Sequence, residues 1–250
     1  MAKRWRTEPE RHAFYLSKKV DRAVREHNMI SDGDRVLVGV SGGKDSLSLL
    51  RLLVYNRGRS AARYDLIAAH VKGDARGFEA ATPPELAEWV AGEGVELVER
   101  EMTAPEHAVL PMDCERCSRG RRRTLFEIAD EYGCGKVALG HNLEDFAHTA
   151  LMNLFQSGRF EPMAFRRDYF GGRFAVIRPL ACIRERDLVR FAKVCGFPVT
   201  ESRCPLALVS RRQKARELMA AVSREFRYAS VNVVRAALRL GPDNCGDSER

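Results

Sequence analysis

The sequence predicts an α/β fold built on a parallel β-sheet, and two observations carry this prediction. Short apolar runs typical of buried strands alternate along the chain with segments whose apolar residues recur at helical spacing. One such run, at 35–40, leads into a helix through a turn that contains Gly42 and Gly43. Strands that alternate with helices favour a parallel sheet with right-handed crossovers and helices on both faces.

The predicted elements begin with an amphipathic helix near the N-terminus, which we expect to end near Asp32. Its apolar face contains Leu16, Val20, Ala23, Val24 and His27. Strands are predicted at 35–40, 65–70, 95–99, 136–140 and 174–178. Helices are predicted from the glycine turn to about Tyr55, at 85–91, along 125–132, along 146–154, at 185–195 and from 211 to about 240. Segment 74–84 is predicted to be a loop, and 241–250 a frayed polar tail.

The length of the chain allows one large domain with extensions. We expect an N-terminal helical extension at 1–32 and a central domain at 33–204, into which a Cys-x-x-Cys segment is inserted. A C-terminal helical extension with its tail follows at 205–250. The sequence shows no internal repeat and no linker long enough to demand two independent domains.

Composition excludes some classes of protein and favours a polyanionic partner. No run of about 18 apolar residues exists, and no apolar segment follows the basic N-terminus, so we expect a cytoplasmic protein without a membrane span or secretory signal. The 42 basic and 34 acidic residues give a net charge of +8, which suits nucleic acid. Two basic clusters are candidate RNA contacts, although each also suits a solvated helix face: Arg119, Arg121, Arg122 and Arg123 in one, and Arg211, Arg212 and Lys214 in the other.

The turn Ser41–Ser46 is the strongest candidate site. Gly42 and Gly43 let the backbone approach an anion, and the N–H groups and dipole of the following helix favour negative charge. Lys44 adds a positive charge, while Ser41 and Ser46 add hydroxyl donors. The spacing differs from that of the Walker A motif. It resembles the PP-loop of ATP pyrophosphatases, which cleave ATP between its α and β phosphates.

A second group of polar residues follows the predicted strand at 136–140. Because the carboxyl ends of parallel strands meet at one edge, we expect Gly140, His141 and Asp145 to join the phosphate turn, together with His70 after the second strand. Asp145 and Asp45 are candidates for binding Mg²⁺ or for acid–base work, and His141 for contacting a phosphate or the substrate. The alternative is a plain helix start that Asn142 caps.

The seven cysteines argue against a disulfide framework, because the number is odd and the chain is expected to be cytosolic. Cys114 and Cys117 have the two-residue spacing used for iron, zinc or dithiol chemistry. Cys204 lies in an irregular stretch with arginines close behind it, and three thiolates on an iron–sulfur cubane would leave one iron open. A redox dithiol made by Cys114 and Cys117 alone is the competing interpretation.

Taken together, these motifs resemble those of the tRNA 2-thiocytidine biosynthesis family, over about residues 16–238. The resemblance is carried by Ser41–Ser46, Cys114-x-x-Cys117-Ser118-Arg119, Ala138–His141 with Asp145, Ile177–Leu180, Cys204 and Arg212-Gln213. It implies a Rossmann-like PP-loop fold of the adenine nucleotide alpha hydrolase type. ATP with Mg²⁺ would adenylate the C2 oxygen of an anticodon-loop cytidine, and sulfur would then displace AMP.

The resemblance also implies a [4Fe–4S] cluster on Cys114, Cys117 and Cys204, a persulfide donor such as a cysteine desulfurase, and a possible homodimer. Glu201 and Cys204 occupy the positions of two family cysteines, and the register of Arg212-Gln213 aligns Cys204 with the second. Three alternatives stay open: thiolation of another base or of an acceptor other than tRNA, a PP-loop ligase without a cluster, and a nucleotide-binding regulator without turnover.

Overall fold

The computed structural model describes residues 7–73, 82–103, 112–200 and 210–239. The helices in these ranges are α1 (Glu8–Glu26), α2 (Lys44–Arg57), α3 (Pro84–Gly92), α4 (Cys114–Glu131), α5 (Leu143–Ser157), α6 (Glu185–Cys195), α7 (Arg211–Glu225) and α8 (Ala229–Arg239). The strands are β1 (Asp34–Gly39), β2 (Tyr64–Lys72), β3 (Glu96–Glu101), β4 (Lys136–Ala138), β5 (Arg166–Tyr169) and β6 (Phe174–Ile177).

The strands form one sheet in the order β3-β2-β1-β4-β6-β5. All neighbouring pairs are parallel except β5 and β6, which are antiparallel. The chain first moves outward from β1 through β2 to β3, and then returns to place β4 on the other side of β1. Ligands of such sheets bind outside the carboxyl ends of the strands at this reversal.

The core lies on both faces of the sheet, because successive strand residues point to opposite sides. Val36 and Val38 of β1 belong to a cluster with α1, α2, α3 and α6, whereas Leu37 between them belongs to a cluster with α4. A third, smaller cluster joins Phe146 and Ala147 of α5 to Val234 of α8. This third cluster holds the C-terminal helices over the start of α5.

The predicted α/β class is confirmed, and so is each predicted strand, with ends that differ by at most two residues. The sheet is mostly parallel, as expected, and the antiparallel edge strand β5 was not predicted. Its sequence, Arg-Arg-Asp-Tyr, has no fully buried residue and lacks the apolar run by which the other strands were found. The single helix expected after 211 is two helices, since the backbone is extended at Phe226. The tail at 241–250 and most of the loop at 74–84 lie outside the described residues.

In the part of the chain that the structure describes, no helix combines the length and apolar character needed to cross a membrane.

Candidate active site

The turn after β1 is held in shape by its own serines. Ser46 Oγ donates to the carbonyl of Gly43 at 2.9 Å and accepts from the backbone N–H of Ser41 at 3.1 Å. Gly42 has a φ of +81°, a conformation that favours glycine. Its carbonyl accepts from the N–H of Thr200 at 2.9 Å, so the segment after α6 supports the turn from outside.

The turn delivers the N-terminus of α2 to the carboxyl edge of the sheet. Side chains cap the first turns of α1, α4, α5 and α7, but Gly43 at the N-cap of α2 offers no side chain. The first N–H groups of a helix lack partners within the helix, and the helix dipole is positive there. The start of α2 therefore has the form of an anion site.

Lys44 lies between two carboxylates. Its Nζ is 3.1 Å from Asp45 Oδ2 and 2.8 Å from Glu185 Oε1 at the start of α6. Partial burial alone lowers the pKa of Lys44, but the hydrogen bonds and charges of Glu185 and Asp45 outweigh it and leave the pKa above its usual value. Lys44 is thus held as an ammonium group beside the anion site.

Asp45 is left with an unsatisfied oxygen. Its Oδ1 is buried and has no hydrogen-bond partner among the described residues, while Oδ2 accepts from Lys44 and, at 3.4 Å, from Asn142 Nδ2. Burial raises the pKa of Asp45 above its usual value in spite of Lys44, and the negative charges of Asp145 and Glu185 add to this effect. A half-buried carboxylate that keeps one oxygen without a partner beside an anion site fits a divalent cation, because Mg²⁺ commonly binds one or two carboxylates plus substrate phosphates.

Gly140 allows the segment after β4 to touch the first turn of α2. A Cβ atom at Gly140 would lie 3.0 Å from Asp45 C and 3.0 Å from Ser46 N. Next to it, His141 Nδ1 is buried without a partner among the described residues. Burial, followed by the positive charge of Arg178, lowers the pKa of His141 to about 3, so this imidazole is neutral at physiological pH.

The segment that follows both starts a helix and carries charge into the site. Asn142 caps α5, and Asp145 completes a capping box by accepting from the N–H of Asn142 at 3.1 Å. The other oxygen of Asp145 lies 3.4 Å from a guanidinium nitrogen of Arg212 on α7. Both carboxylate oxygens are therefore engaged, which makes Asp45 the better candidate for a cation.

His70 lies at the carboxyl end of β2, where its Nδ1 is 2.7 Å from the carbonyl of Val40. The ring thus contacts the residue that opens the phosphate turn. The structure brings Ser41–Ser46, His70, Gly140, His141 and Asp145 to the same edge of the sheet.

Cys114 and Cys117 occupy the first turn of α4, with Asp113 as its N-cap, and neither forms a disulfide. Arg121, one turn further on, donates to the backbone carbonyls of Val71 and Gly73. These contacts fix the start of α4 at the carboxyl end of β2, on the same edge as the phosphate turn. Cys204 lies outside the described residues, within which no group of three or more potential ligands for a metal ion forms.

The candidate RNA-contacting residues are placed differently from one another. Arg119 and Arg123 are exposed and pair with acids one turn along α4. Arg122 donates to Tyr169 Oη at 3.4 Å. In the second cluster, Arg211 donates to Gln156 at 3.2 Å and Lys214 is exposed.

Glu185 and Glu144 are site residues that the sequence did not reveal. Glu144 Oε2 accepts from the N–H of Glu185 at 2.7 Å, and Glu185 carries the second ion pair of Lys44. Burial raises the pKa of Glu144 above its usual value. Acidic residues are common in the first turn of a helix. Their presence at these positions therefore indicated the start of a helix and did not indicate a functional site.

Comparison with known proteins gives a consistent assignment. The PP-loop domain family matches residues 15–205. The tRNA-cytidine(32) 2-sulfurtransferase of Geobacter metallireducens is 35% identical over 242 residues, covering 94% of this chain and 93% of the relative. The enzyme of that name from Cellvibrio japonicus is 34% identical, covering 94% and 78%. The U34-tRNA thiolase NcsA from Methanococcus maripaludis, solved with its [4Fe-4S] cluster, shares the fold at a TM-score of 0.72 and 22% identity, covering 91% of this chain and 79% of that one.

Proposed function

Because this chain belongs to the tRNA-cytidine 2-sulfurtransferase family of PP-loop proteins, we propose that it is an enzyme that uses ATP to thiolate a cytidine of tRNA. The observation that carries the proposal is the meeting of three segments at one sheet edge. These are the phosphate turn Ser41–Ser46, the segment His141–Asp145 and the Cys114–Cys117 turn of α4. In this proposal the activating site and the sulfur-delivering site lie at the same edge of the sheet.

The reaction proceeds in two substitutions. The C2 carbonyl oxygen of cytidine attacks the α-phosphorus of ATP, which forms a C2–O–AMP bond and releases pyrophosphate. A thiol reductant releases hydrosulfide from the donor's persulfide and is itself oxidised to a disulfide. The hydrosulfide then adds at C2, and the C2–O bond breaks to release AMP and leave a C2–S bond. The first step is needed because the urea-like carbonyl is a poor electrophile without a leaving group, and covalent activation supplies one.

The phosphate turn binds the triphosphate. The N–H groups at the start of α2 face the phosphates, and Lys44 stabilises the charge that develops on departing pyrophosphate. Ion pairs with Asp45 and Glu185 hold the Lys44 ammonium group in position before ATP arrives. Neutral His141 can donate to or accept from substrate without adding charge.

Asp45 is the residue that fits a bound Mg²⁺, because its Oδ1 is buried without a partner among the described residues. The ion would neutralise phosphate charge during adenylation. Asp145 has no free carboxylate oxygen for the ion. Its role is to position Asn142 and Arg212 through the hydrogen bond and the ion pair that it makes with them.

Cys114 and Cys117 would supply two thiolates to a [4Fe–4S] cluster, with Cys204 as the third. When bound, this group supplies an open iron at which sulfur from a persulfide donor can be held. The first turn of α4 suits a net negative cluster, since the helix dipole favours negative charge there. Basic side chains bind the RNA backbone. A single-stranded loop is the expected target, because its bases can be unstacked and exposed to the site.

The test is mass spectrometry of nucleosides in tRNA from cells with and without this gene. The expected result is loss of 2-thiocytidine in the absence of the gene and its return when the gene is restored. Loss of a different thionucleoside would move the assignment to another base. Identical profiles would contradict the proposed function.

A further inference from the structure

We propose that a second anion site, an arginine-lined cavity next to the ATP site, holds a backbone phosphate of the RNA beside the nucleotide being modified. This inference rests on the proposed function. The cavity has a volume of about 410 Å³ and lies between α5 and the segment that leads into β5. Arg159, Arg167 and Arg178 lie in its wall, and none of its lining residues belongs to the phosphate turn.

Arg178 is the central residue of this cavity. Its side chain is 6% exposed, and its Nη1 donates to the carbonyl of Ala164 at 2.6 Å. Its Nε is buried without a partner, and no carboxylate in the described part of the chain forms an ion pair with it. Because a buried charge is unfavourable unless it is paired, Arg178 requires an anion that the protein does not itself provide in these residues.

The charges around Arg178 intensify this requirement. Burial lowers the pKa of Arg178 to about 10. The interaction with Tyr169 raises this pKa, whereas the positive charges of Arg122, Arg167 and Arg212 lower it further. The group stays charged at neutral pH and lies in a field of like charge. Glu161 is the one acid among the lining residues, against three arginines.

The two exposed arginines of the cavity differ from their neighbours in pairing. Arg159 and Arg167 have no carboxylate partner among the described residues. Arg166, which precedes Arg167 and points to the other side of β5, pairs with Asp168 at 3.0 Å. Arg173, at the far end of β6, pairs with Asp130. Among these four arginines, the two that lack an acidic partner in the described residues are the two that line the cavity.

The position of the cavity suits the RNA rather than ATP. Arg178 directly follows β6, whose neighbour β4 leads into His141, and the charge of Arg178 lowers the pKa of His141. The cavity is thus close to the ATP site but separate from the residues that bind its phosphates. Guanidinium groups match phosphate in a bidentate manner, and a space of this volume accepts a nucleotide-sized group.

The test uses the double variant Arg159→Gln/Arg167→Gln, whose exposed positions leave the core intact. Binding of a stem–loop RNA of anticodon-arm size is measured at several salt concentrations, and binding of ATP with Mg²⁺ is measured in parallel. RNA affinity is expected to fall about tenfold, and the slope of log K against log salt to shrink by about 0.7, because the contact with one single-strand phosphate is lost. ATP affinity is expected to stay unchanged.

The matched control is Arg173→Gln, which removes an arginine from the other end of β6 and is expected to retain the RNA affinity and salt slope of the wild type. Equal RNA binding by the double variant and the wild type would overturn the assignment. Weakened ATP binding with unchanged RNA binding would also overturn the assignment, because it would indicate that the cavity binds ATP. If the wild-type protein binds RNA but no thionucleoside depends on its gene, the proposed reaction is contradicted. That outcome is measured by mass spectrometry of tRNA nucleosides, separately from the RNA-binding test.

Discussion

At the scale of single residues, Asp45 combines an unfavourable ionised state with the proposed role of binding a cation. Its Oδ1 is buried without a partner among the described residues, and burial raises the pKa of the carboxyl group. The ionised form is therefore less favourable in the folded protein than in the unfolded chain. This penalty is present above the folded-state pKa and is relieved as the pH falls through it.

Replacement of Asp45 by asparagine is expected to separate stability from activity. Asp45→Asn should melt at a temperature equal to or above that of the wild type at pH 7.5, because it removes a buried charge. The difference should shrink as the pH is lowered towards the ordinary aspartate pKa of about 3.9. ATP turnover should fall on the order of 100-fold, because the variant loses the carboxylate proposed to bind the cation that neutralises charge developing on the phosphates.

Thermal melting across pH and pyrophosphate release check both halves of this prediction. A variant that melts well below the wild type at neutral pH would contradict the account of the carboxylate. A variant with full turnover would contradict its role in binding the cation.

The cysteines give a second prediction at this scale. Cys114→Ala and Cys204→Ala should each lose most of the iron that the wild type binds in anaerobic preparations, because each would remove one of the three proposed thiolate ligands. Cys195→Ala is the matched control, since Cys195 packs against the core and burial raises the pKa of its thiol. Iron content per chain is the measurement, and equal iron in Cys204→Ala and the wild type would contradict the three-ligand proposal.

At the scale of elements, the contact between the β4–α5 connection and α2 assembles the site. Gly140→Ala should disturb this contact, because its Cβ would lie 3.0 Å from backbone atoms of Asp45 and Ser46. The expected effects are a loss of about 1–3 kcal/mol in the free energy of unfolding and at least about tenfold weaker ATP binding.

Gly135→Ala is the control for this prediction, because a Cβ at Gly135 meets nothing within 4 Å and the residue has no positive φ. That variant is expected to be neutral or slightly more stable than the wild type. Denaturant unfolding and calorimetric titration with ATP and Mg²⁺ compare the two variants. Equal effects of the two substitutions would contradict a specific role for the close approach at Gly140.

Elements with a strong apolar pattern could be predicted from the sequence, and elements placed by packing could not. The helix α6 was predicted residue for residue, because Leu188, Phe191 and Ala192 are buried at helical spacing. Strand β5 was missed, because three of its four residues are Arg or Asp and it shows no apolar run. The break between α7 and α8 at Phe226 also lacked a glycine or proline signal.

At the scale of the whole molecule, the sheet order explains why distant segments form one site. Reversal between β1 and β4 places residues 41–46 beside residues 140–145, and this juxtaposition followed from the pattern of strands. Glu185, Arg178 and Thr200 could not be assigned in this way. Their contacts depend on how α6 and the segments around it pack onto α2 and α5, which no local pattern encodes.

In the proposed function this arrangement links activation to sulfur delivery, because the starts of α2, α4 and α5 lie at one edge of the sheet. The most direct test is reconstitution with anaerobically prepared protein of full iron content, ATP, Mg²⁺, tRNA, a persulfide donor and a thiol reductant. The account predicts that 2-thiocytidine, AMP and pyrophosphate form in equal amounts, and that omission of tRNA abolishes pyrophosphate release. Thiolation without AMP formation, or undiminished pyrophosphate release without RNA, would contradict it.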